Sequence, residues 1–198
     1  FLLRHAQSIA NEQGFLAGRM PDINLSRKGI VQRKDLHKRL AGSKFDLLLT
    51  SPIERCLQTI EGFGEGQKLF IDSGFTEVDY GVWTGKKFSS LRRNPEWKKI
   101  INSGSKITFA KGESVKAVQK RTVQTLLSYE NRKHKNILVA THADVVKFAI
   151  FHALGVSLDN LDRLHIDNAS ISVIDLHKGE FSVRAVNDRS SKIKEYLL

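Results

Sequence analysis

The predicted fold is decided by one stretch at the start of the sequence, Phe1-Leu2-Leu3-Arg4-His5-Ala6-Gln7-Ser8. Three large apolar residues are typical of a buried strand, and this strand ends in an adjacent arginine and histidine. In open α/β sheets the ligand site lies beyond the carboxyl ends of the strands. We therefore expect Arg4 and His5 to bring a cation and an imidazole together to the functional edge of a sheet.

Two later segments also place polar side chains directly after a predicted buried strand. Residues 45–50, Phe-Asp-Leu-Leu-Leu-Thr, predict a second strand, and Arg55 follows in the first turn of a helix. Residues 136–142, Asn-Ile-Leu-Val-Ala-Thr-His, predict a further strand that ends in His142. A lone histidine at a strand end is usually structural, but a second one favours a shared site at the same sheet edge.

The helix after residue 50 begins with several start signals. Ser51 is expected to cap this helix, Pro52 to occupy its first position and Glu54 to complete a capping box. Arg55 would then lie where the helix dipole already favours an anion. Cys56 is expected to be a small buried apolar residue rather than a nucleophile. As the single cysteine of the chain it excludes a disulfide framework and suits a reducing, cytoplasmic compartment.

Strands and helices alternate along most of the chain. Further helices are predicted from Ser26 to about residue 41, over 88–102 with an interruption at Pro95, from Ser114 to about Glu130 with basic residues 132–135 at its end, and from Asp144 to Leu154. Further strands are predicted over 68–72 and in a hairpin over 169–186. This order predicts an α/β fold, a three-layer sandwich with a mostly parallel central sheet flanked by helices and a C-terminal edge hairpin.

The predicted domain organisation is a single domain over residues 1–198. Residues 8–22 are interpreted as a loop over the site, in which Asn11 and Arg19 are candidates to face a ligand. The charged section over 83–112 is interpreted as a helical lid or insertion.

The charge of the chain favours an anionic partner. Lys and Arg number 32 against 21 Asp and Glu, which gives a formal net charge of +11. The basic residues are scattered in pairs, and no zinc-finger or RNP-type signature accompanies them, so nucleic acid is not expected. Two interpretations of the basic residues remain. They form solvated helical faces, or their field steers a small phosphorylated substrate to the site. No apolar run approaches the length of about 18 residues that a membrane span needs, so no membrane partner is expected.

A carboxylate is predicted to join the two arginines and two histidines. Residues 76–85 contain two glycines and two aromatic residues, which suggests a fixed loop that can hold Glu77 near the site. Taken alone, Glu77 would be interpreted as a surface residue. Arginine forks match phosphate oxygens, a neutral imidazole can attack phosphorus, and a carboxylic acid can protonate the leaving oxygen. The set therefore predicts phosphoryl transfer, with no cluster of metal ligands and no cofactor.

The sequence resembles the histidine phosphatase, or phosphoglycerate mutase-like, superfamily. Four blocks resemble the motifs of this family in order: Arg4-His5-Ala6-Gln7-Ser8 (R-H-G-E-[ST]), Ser51-Pro52 with Arg55, Gln58 and Thr59, Glu77 with Tyr80-Gly81, Trp83 and Gly85, and Thr141-His142-Ala143 ([ST]-H-G). Residues 22–29 resemble a further family segment. The resemblance implies the phosphoglycerate mutase-like fold.

The resemblance also implies a role for each matching residue. It implies that His5 is the phosphorylated nucleophile, that Glu77 is the proton donor, and that Arg4, Arg55, His142 and Asn11 contact phosphate. Two departures matter, because Ala6 and Ala143 replace glycines that follow the histidines in the family motif. Ala143 is nevertheless expected to contact substrate, although either methyl group could narrow the pocket or shift the backbone.

Three functions remain open from the sequence. The leading hypothesis is a metal-independent phosphomonoesterase that acts on a small phosphorylated substrate through phospho-His5. The alternative is a phosphomutase, since residues 141–174 also resemble a bacterial subgroup often labelled in that way. The third is an inactive phospho-ligand or protein-binding module. The sequence does not predict the oligomeric state.

Overall fold

The central sheet has six strands among the residues described in the computed structural model, which are 1–64, 66–130, 134–190 and 192–198. The strands are β1 (Leu2–Arg4), β2 (Leu47–Thr50), β3 (Leu69–Ile71), β4 (Ile137–Thr141), β5 (Ile171–His177) and β6 (Glu180–Asp188). Their order is β3-β2-β4-β1-β5-β6. β3, β2, β4 and β1 are parallel to one another, and β5 is antiparallel to both β1 and β6. The predicted mostly parallel sheet with a C-terminal edge hairpin is confirmed.

Helices cover both faces of this sheet. The helices that the structure describes are α1 (Ile9–Gln13), α2 (Arg27–Leu40), α3 (Glu54–Ile60), α4 (Phe88–Leu91), α5 (Pro95–Asn102), α6 (Val115–Glu130) and α7 (Ala143–Ala153). Alternate strand residues point to opposite faces. Leu3 therefore packs with α2 and α3, whereas Leu2 packs with α6 and α7. The predicted α/β class and layered arrangement are confirmed.

The register of the strands brings three chain segments to one edge of the sheet. Arg4 pairs with Thr141, and Thr50 pairs with Ala140. The amide of His5 donates to the Thr141 carbonyl at 2.9 Å, so the chain remains paired just beyond β1. The residues that follow β1, β2 and β4 therefore meet at the same edge, as parallel strands allow.

The prediction of a loop over residues 8–22 is wrong at its start, where α1 forms. The Ser8 side chain accepts from the Asn11 amide, and the Asn11 side chain accepts from the Ser8 amide. This is a capping box with asparagine in the place where glutamate or glutamine is usual. Gly14 ends the helix at φ +68°, a conformation that glycine adopts without strain.

The predicted start of α3 is also wrong. The helix begins at Glu54, and its N-terminal flanking residue is Ile53, which makes no side-chain cap. Ser51 lies before the helix, and its side chain forms a hydrogen bond with His142, as described below. By contrast, Ser26 caps α2 through the Gly29 amide, as its sequence indicates.

Residues 83–112 include α4 and α5 and are joined to the body of the protein. Trp83, Leu91 and Phe109 are buried in the core cluster on the α6 and α7 face. The Gly85 amide donates to the Leu16 carbonyl at 2.7 Å, so this section also borders the segment after α1. The lid assignment and the single-domain assignment stay predictions.

Residues 132 and 133, which the sequence predicts to end α6 with positive charge, lie outside the described residues.

None of the helices in the described ranges is both long and apolar enough to cross a bilayer.

Candidate active site

The two strand-end histidines lie side by side beyond β1 and β4. Their ring centroids are 5.3 Å apart, and both side chains are buried. This proximity follows from the parallel pairing of Arg4 with Thr141, because each histidine is the next residue along its chain. The structure thus brings the two predicted histidines together.

His5 has one ring nitrogen that acts as an acceptor. Its Nδ1 lies 2.7 Å from the Ala6 carbonyl, and the Arg55 Nε donates to its Nε2 at 3.1 Å. A carbonyl only accepts and a guanidinium only donates, so Nδ1 carries the proton and Nε2 carries the lone pair. Burial lowers the pKa of His5 well below its usual value, and the charges of Arg55 and Arg4 lower it further. The imidazole is therefore neutral and presents Nε2 to the site.

Arg55 holds the two histidines and the segment after α1 together. Besides the bond to His5, its Nη2 donates to the Gly18 carbonyl at 2.9 Å and to the His142 Nδ1 at 3.1 Å. This guanidinium is 2% exposed, which is rare for arginine and needs strong compensation. The first turn of α3, directly beyond β2, brings it here.

Two buried guanidinium nitrogens in this cluster have no hydrogen-bond acceptor among the described residues. They are the Nη1 of Arg55 and the Nε of Arg4. The Nη1 of Arg4 is used, because it donates to the Ile166 carbonyl. Buried donors of this kind are costly when they lack an acceptor. Two cationic donors without acceptors therefore make this a site suited to an anion with several oxygens.

His142 is oriented by Ser51. Its Nδ1 accepts from Arg55, so its Nε2 carries the proton and donates to the Ser51 Oγ at 2.8 Å. Burial lowers the pKa of His142 well below its usual value, with a further contribution from Arg55. The neutral imidazole thus stands at the start of α7, where the sequence places it.

Cys56 is a buried neighbour of His142. Its Sγ lies 3.4 Å from the His142 Nε2. Burial raises the pKa of this thiol to about 12, so it stays protonated. These features support its interpretation as a filler of the core rather than a nucleophile.

Glu77 joins the cluster from the loop after β3. Its Oε1 accepts from the Val78 amide at 3.0 Å, and its Oε2 lies 3.6 Å from the His142 Nδ1 and 4.0 Å from the Arg55 Nη2. Burial and the charge of Asp144 raise the pKa of Glu77 to about 7, although Arg55 opposes them. A buried carboxyl group near neutrality can hold a proton or release it.

Asn11 is connected to His5 through a residue that the sequence interpretation missed. The Asn168 Nδ2 donates both to the His5 carbonyl and to the Asn11 Oδ1, each at 3.1 Å. Asn168 lies in the turn before β5, which pairs with β1. Its only sequence signal is a polar residue at the start of a predicted hairpin. Ser51 was likewise missed as a site residue, because its helix-start signals favoured a cap.

The alanines that replace the family glycines are accommodated by packing. Ala6 is buried with Leu25 and Ala169, and its amide donates to the Thr59 Oγ1 at 2.9 Å. Ala143 is the first residue of α7 and packs against the core cluster of that face. Neither has the left-handed backbone that would require glycine. The predicted substrate contact of Ala143 stays a prediction.

Arg19 lies beside Glu77 in the structure. Its Nε donates to the Glu77 carbonyl at 2.8 Å, and its Nη2 bonds the Glu113 Oε2 at 2.7 Å. The side chain is 38% exposed, so it borders the solvent. Its predicted contact with a ligand stays a prediction.

Comparison with known proteins shows to which family the chain is related. A sequence profile of the histidine phosphatase superfamily (branch 1) matches residues 1–189. Phosphoserine phosphatase 1 of Hydrogenobacter thermophilus is 29% identical, over 93% of this chain and 96% of the relative. The 2,3-bisphosphoglycerate-dependent phosphoglycerate mutase of Thermoplasma acidophilum is 26% identical, over 99% of this chain and 96% of the relative.

Solved structures share the fold. The structure of Bacillus stearothermophilus YhfR matches with a TM-score of 0.87 and 25% identity, and the match covers 96% of each chain. The family profile spans nearly all of the chain, and the fold of β1 to β6 with its flanking helices agrees with it. This chain belongs to the histidine phosphatase superfamily.

Proposed function

We propose that this protein is a metal-independent phosphomonoester hydrolase that acts on a small phosphorylated molecule through a phosphohistidine at Nε2 of His5. One observation carries the proposal. The Arg4 Nε and the Arg55 Nη1 are buried donors without acceptors, in the same cluster as the accepting nitrogen of a neutral His5. A phosphoryl group would give both donors an acceptor and would present phosphorus to that nitrogen.

In the first step the Arg55 Nε proton turns from His5 Nε2 to a phosphoryl oxygen. The released lone pair of Nε2 then forms a bond to phosphorus while the bond from phosphorus to the leaving oxygen breaks. The carboxyl proton of Glu77 passes to that oxygen, so an alcohol leaves. Arg4 and Arg55 hold the non-bridging oxygens, whose charge they balance. The acid form of Glu77 supports this role, since its pKa of about 7 leaves it substantially protonated at neutral pH.

In the second step the Glu77 carboxylate takes a proton from water, and the water oxygen attacks phosphorus. The bond between Nε2 and phosphorus breaks, its electrons return to the imidazole of His5, and inorganic phosphate leaves. Glu77 is then protonated again for the next cycle. Each step transfers one proton through one carboxyl group, so no further acid or base is needed.

His142 and Asn11 complete the proposed phosphate site. A bound phosphate dianion would favour the protonated form of His142. The Nδ1 of this residue lies next to the Arg55 Nη2 and the Glu77 Oε2. Its proton on Nε2 is already directed to Ser51, so the new proton would lie on Nδ1, toward the phosphate. Asn11, tied to His5 through Asn168, is proposed as a further phosphate contact.

The test is phosphate release from a panel of phosphomonoesters, with and without EDTA. We expect turnover that EDTA leaves unchanged and that His5→Ala abolishes. His177→Ala, which removes an exposed histidine at the end of β5, is the matched control and should behave as the wild type. Release that depends on added metal, or that survives His5→Ala, would contradict the mechanism.

A phosphomutase is the second candidate, because a mutase relative matches over nearly the whole chain. A mutase retains the phosphoenzyme and returns the group to a bound intermediate. Incubation of 2,3-bisphosphoglycerate with monophosphoglycerate distinguishes the two functions. Transfer faster than hydrolysis would select the mutase, and neither reaction with any ester would favour a binding module.

A further inference from the structure

We infer that three charged residues outside the phosphate site, Arg19, Glu113 and Arg121, act together as a positioning device for Glu77. We call these three residues the Glu77 clamp. In this inference the clamp fixes the backbone of Glu77 so that its carboxyl group meets the leaving oxygen of the substrate. The inference rests on the proposed function and adds to it how the proton donor is placed.

The direct contact is with the backbone carbonyl of Glu77. This oxygen accepts from the Arg19 Nε at 2.8 Å and from the Arg121 Nη2 at 3.1 Å. Both donors are charged, and hydrogen bonds from charged donors are stronger than neutral ones. Two bonds to one carbonyl restrain the peptide plane that follows the Glu77 side chain.

Glu113 joins the two arginines. Its Oε2 lies 2.7 Å from the Arg19 Nη2 and 3.3 Å from the Arg121 Nη2, and its Oε1 lies 3.3 Å from the Arg121 Nε. Its Oε2 also accepts from the Asp79 amide at 3.1 Å. Burial alone would raise the pKa of Glu113, but these bonds and the two arginines lower it overall, so the carboxylate stays charged.

The clamp anchors one side of the Glu77 loop to α6 and the other side to the segment directly before α6. Arg121 lies in the middle of α6, and its Nη1 donates to the Gly74 carbonyl at 2.8 Å. The Glu113 amide donates to the Asp79 carbonyl at 2.9 Å. Glu77 thus lies between two anchored residues, Gly74 and Asp79, and its own carbonyl is anchored as well.

The charge of Glu113 has a second consequence. Arg19 and Arg121 are two cations bonded to the backbone carbonyl of Glu77, the residue whose carboxyl group must be protonated to act as an acid. That carboxyl group already faces Arg55 and His142 and is subject to the charges of Asp144 and Arg4. Cations favour the carboxylate, which is the wrong form for the first step. Because Glu113 balances one of the two charges, the clamp can hold Glu77 without drawing the proton from it.

The experiment compares two esters in single-turnover phosphorylation of the enzyme. One is p-nitrophenyl phosphate, whose leaving group departs without help from an acid. The other is the best alkyl phosphomonoester of the panel, whose leaving group requires a proton. For Arg121→Met and Glu113→Gln we expect the alkyl ester to slow about 10- to 100-fold, within the range that general acid catalysis supplies. The rate with p-nitrophenyl phosphate should change much less.

The pH dependence supplies a readout that simple loosening of the structure would not move. In Glu113→Gln the two arginines are unbalanced, so the fall in phosphorylation rate at high pH should begin at a lower pH than in the wild type. Arg184→Met is the matched control, because Arg184 pairs with Asp175 at comparable exposure in the β5–β6 hairpin. It should leave both the rate ratio and the pH profile unchanged.

Arg19→Met is a second variant in case Arg121→Met does not fold, since Arg19 is more exposed and lies in a connecting segment. Equal slowing of both esters with an unchanged pH profile would overturn the clamp while leaving the phosphatase in place. Turnover that survives His5→Ala would overturn the proposed function, and the clamp with it.

Discussion

At the scale of single residues, Arg55 is the side chain on which the geometry of the site depends. One guanidinium donates to the His5 Nε2, to the His142 Nδ1 and to the Gly18 carbonyl. A lysine has no planar fork and could not make these bonds in the same directions. The two histidines therefore both accept from the same guanidinium, and their burial, with the charge of Arg55, lowers the pKa of each.

The pKa of Glu77 predicts how phosphorylation depends on pH. Because burial and Asp144 raise this pKa to about 7, the acid form should be lost as the pH rises through about 7, and the rate should fall there. Below this range the rate should persist to a pH well under the usual histidine value, since the pKa of His5 is lowered by burial and by arginine. Single-turnover phosphorylation measured against pH, with an alkyl ester, checks both limits.

Two variants make this pH prediction specific. Glu77→Gln should lose the fall at high pH and slow the reaction by about 10²- to 10⁴-fold, the usual contribution of a general acid. Glu180→Gln, at the exposed start of β6, should match the wild type. A wild-type profile that Glu77→Gln leaves unaltered would show that another group supplies the proton.

Ser51 is predicted to orient His142 rather than to cap a helix. Ser51→Ala removes the acceptor of the His142 Nε2 proton at 2.8 Å, which leaves a buried donor unpaired at a cost of about 1–3 kcal/mol. We expect kcat/KM to fall roughly 10-fold, as about 1.4 kcal/mol implies. Ser157→Ala, which removes a cap remote from the site, should change the Tm at most. A loss of stability in Ser51→Ala with unchanged kcat/KM would favour a purely structural role.

At the scale of elements, α2 supports the site through a close approach of backbones. A Cβ added at Gly29 would lie 2.0 Å from the Gln7 carbonyl oxygen, which follows His5 by two residues. The two segments are also joined by Ser26, whose amide donates to that same oxygen at 2.9 Å. Glycine at position 29 therefore lets the helix start lie directly against the chain that leaves β1.

Gly29→Ala should separate these two segments. We expect the free energy of unfolding to fall by about 1–3 kcal/mol, the usual cost of overpacking, and kcat/KM to fall because the His5 backbone shifts. Urea unfolding and steady-state kinetics measure the two effects. Lys28→Ala, an exposed neighbour on the same helix, is the control for loss of a side chain there. Wild-type stability in Gly29→Ala would mean that α2 moves without cost.

Local signals predicted helix starts with uneven success. Ser26 caps α2 as predicted, because its Oγ accepts from the Gly29 amide while its hydroxyl proton goes to the Gln7 Oε1 at 2.8 Å. The Ser51 prediction failed because His142, which is 91 residues away in sequence, takes the same oxygen. The α1 helix was missed because its capping box uses Asn11, and because the glycines and proline that follow indicated a loop.

At the scale of the whole molecule, the section over 83–112 carries one of the largest excesses of basic over acidic residues. This section contains a single acidic residue, Glu96, and eight exposed basic residues: Lys86, Lys87, Arg92, Arg93, Lys98, Lys99, Lys106 and Lys111. Within the described ranges none of the eight forms an ion pair. Their field is therefore available to attract an anionic substrate.

This charge predicts that kcat/KM for a phosphomonoester falls as ionic strength rises, because salt screens exposed charges. Replacing both Lys98 and Lys99 by glutamate should lower kcat/KM at low salt by about two- to tenfold, toward the lower end of electrostatic steering effects. Lys178→Glu, in the turn between β5 and β6, is the control and should have a smaller effect. Equal values at all salt concentrations would mean that these bases are only a solvated surface.

The sequence by itself determined the order of strands and helices and the chemical types placed at strand ends. Apolar runs, helix periodicity and motif spacing are local, so Arg4, His5, Arg55 and His142 could be selected before any fold was known. Glu77 was also selected, on its motif and on the composition of its loop. These properties need only neighbouring residues, or a family pattern, to be recognised.

Only the tertiary structure decided which of these groups touch. The register of β1 with β4 joins residues about 137 positions apart and sets His5 beside His142. Three other contacts depend on the same packing. They are the hydrogen bond of Ser51 with His142, the bond of Asn168 to Asn11, and the ion pair of Arg19 with Glu113. Such contacts are chosen by the total free energy of the folded chain, in which one long-range bond can override a local propensity.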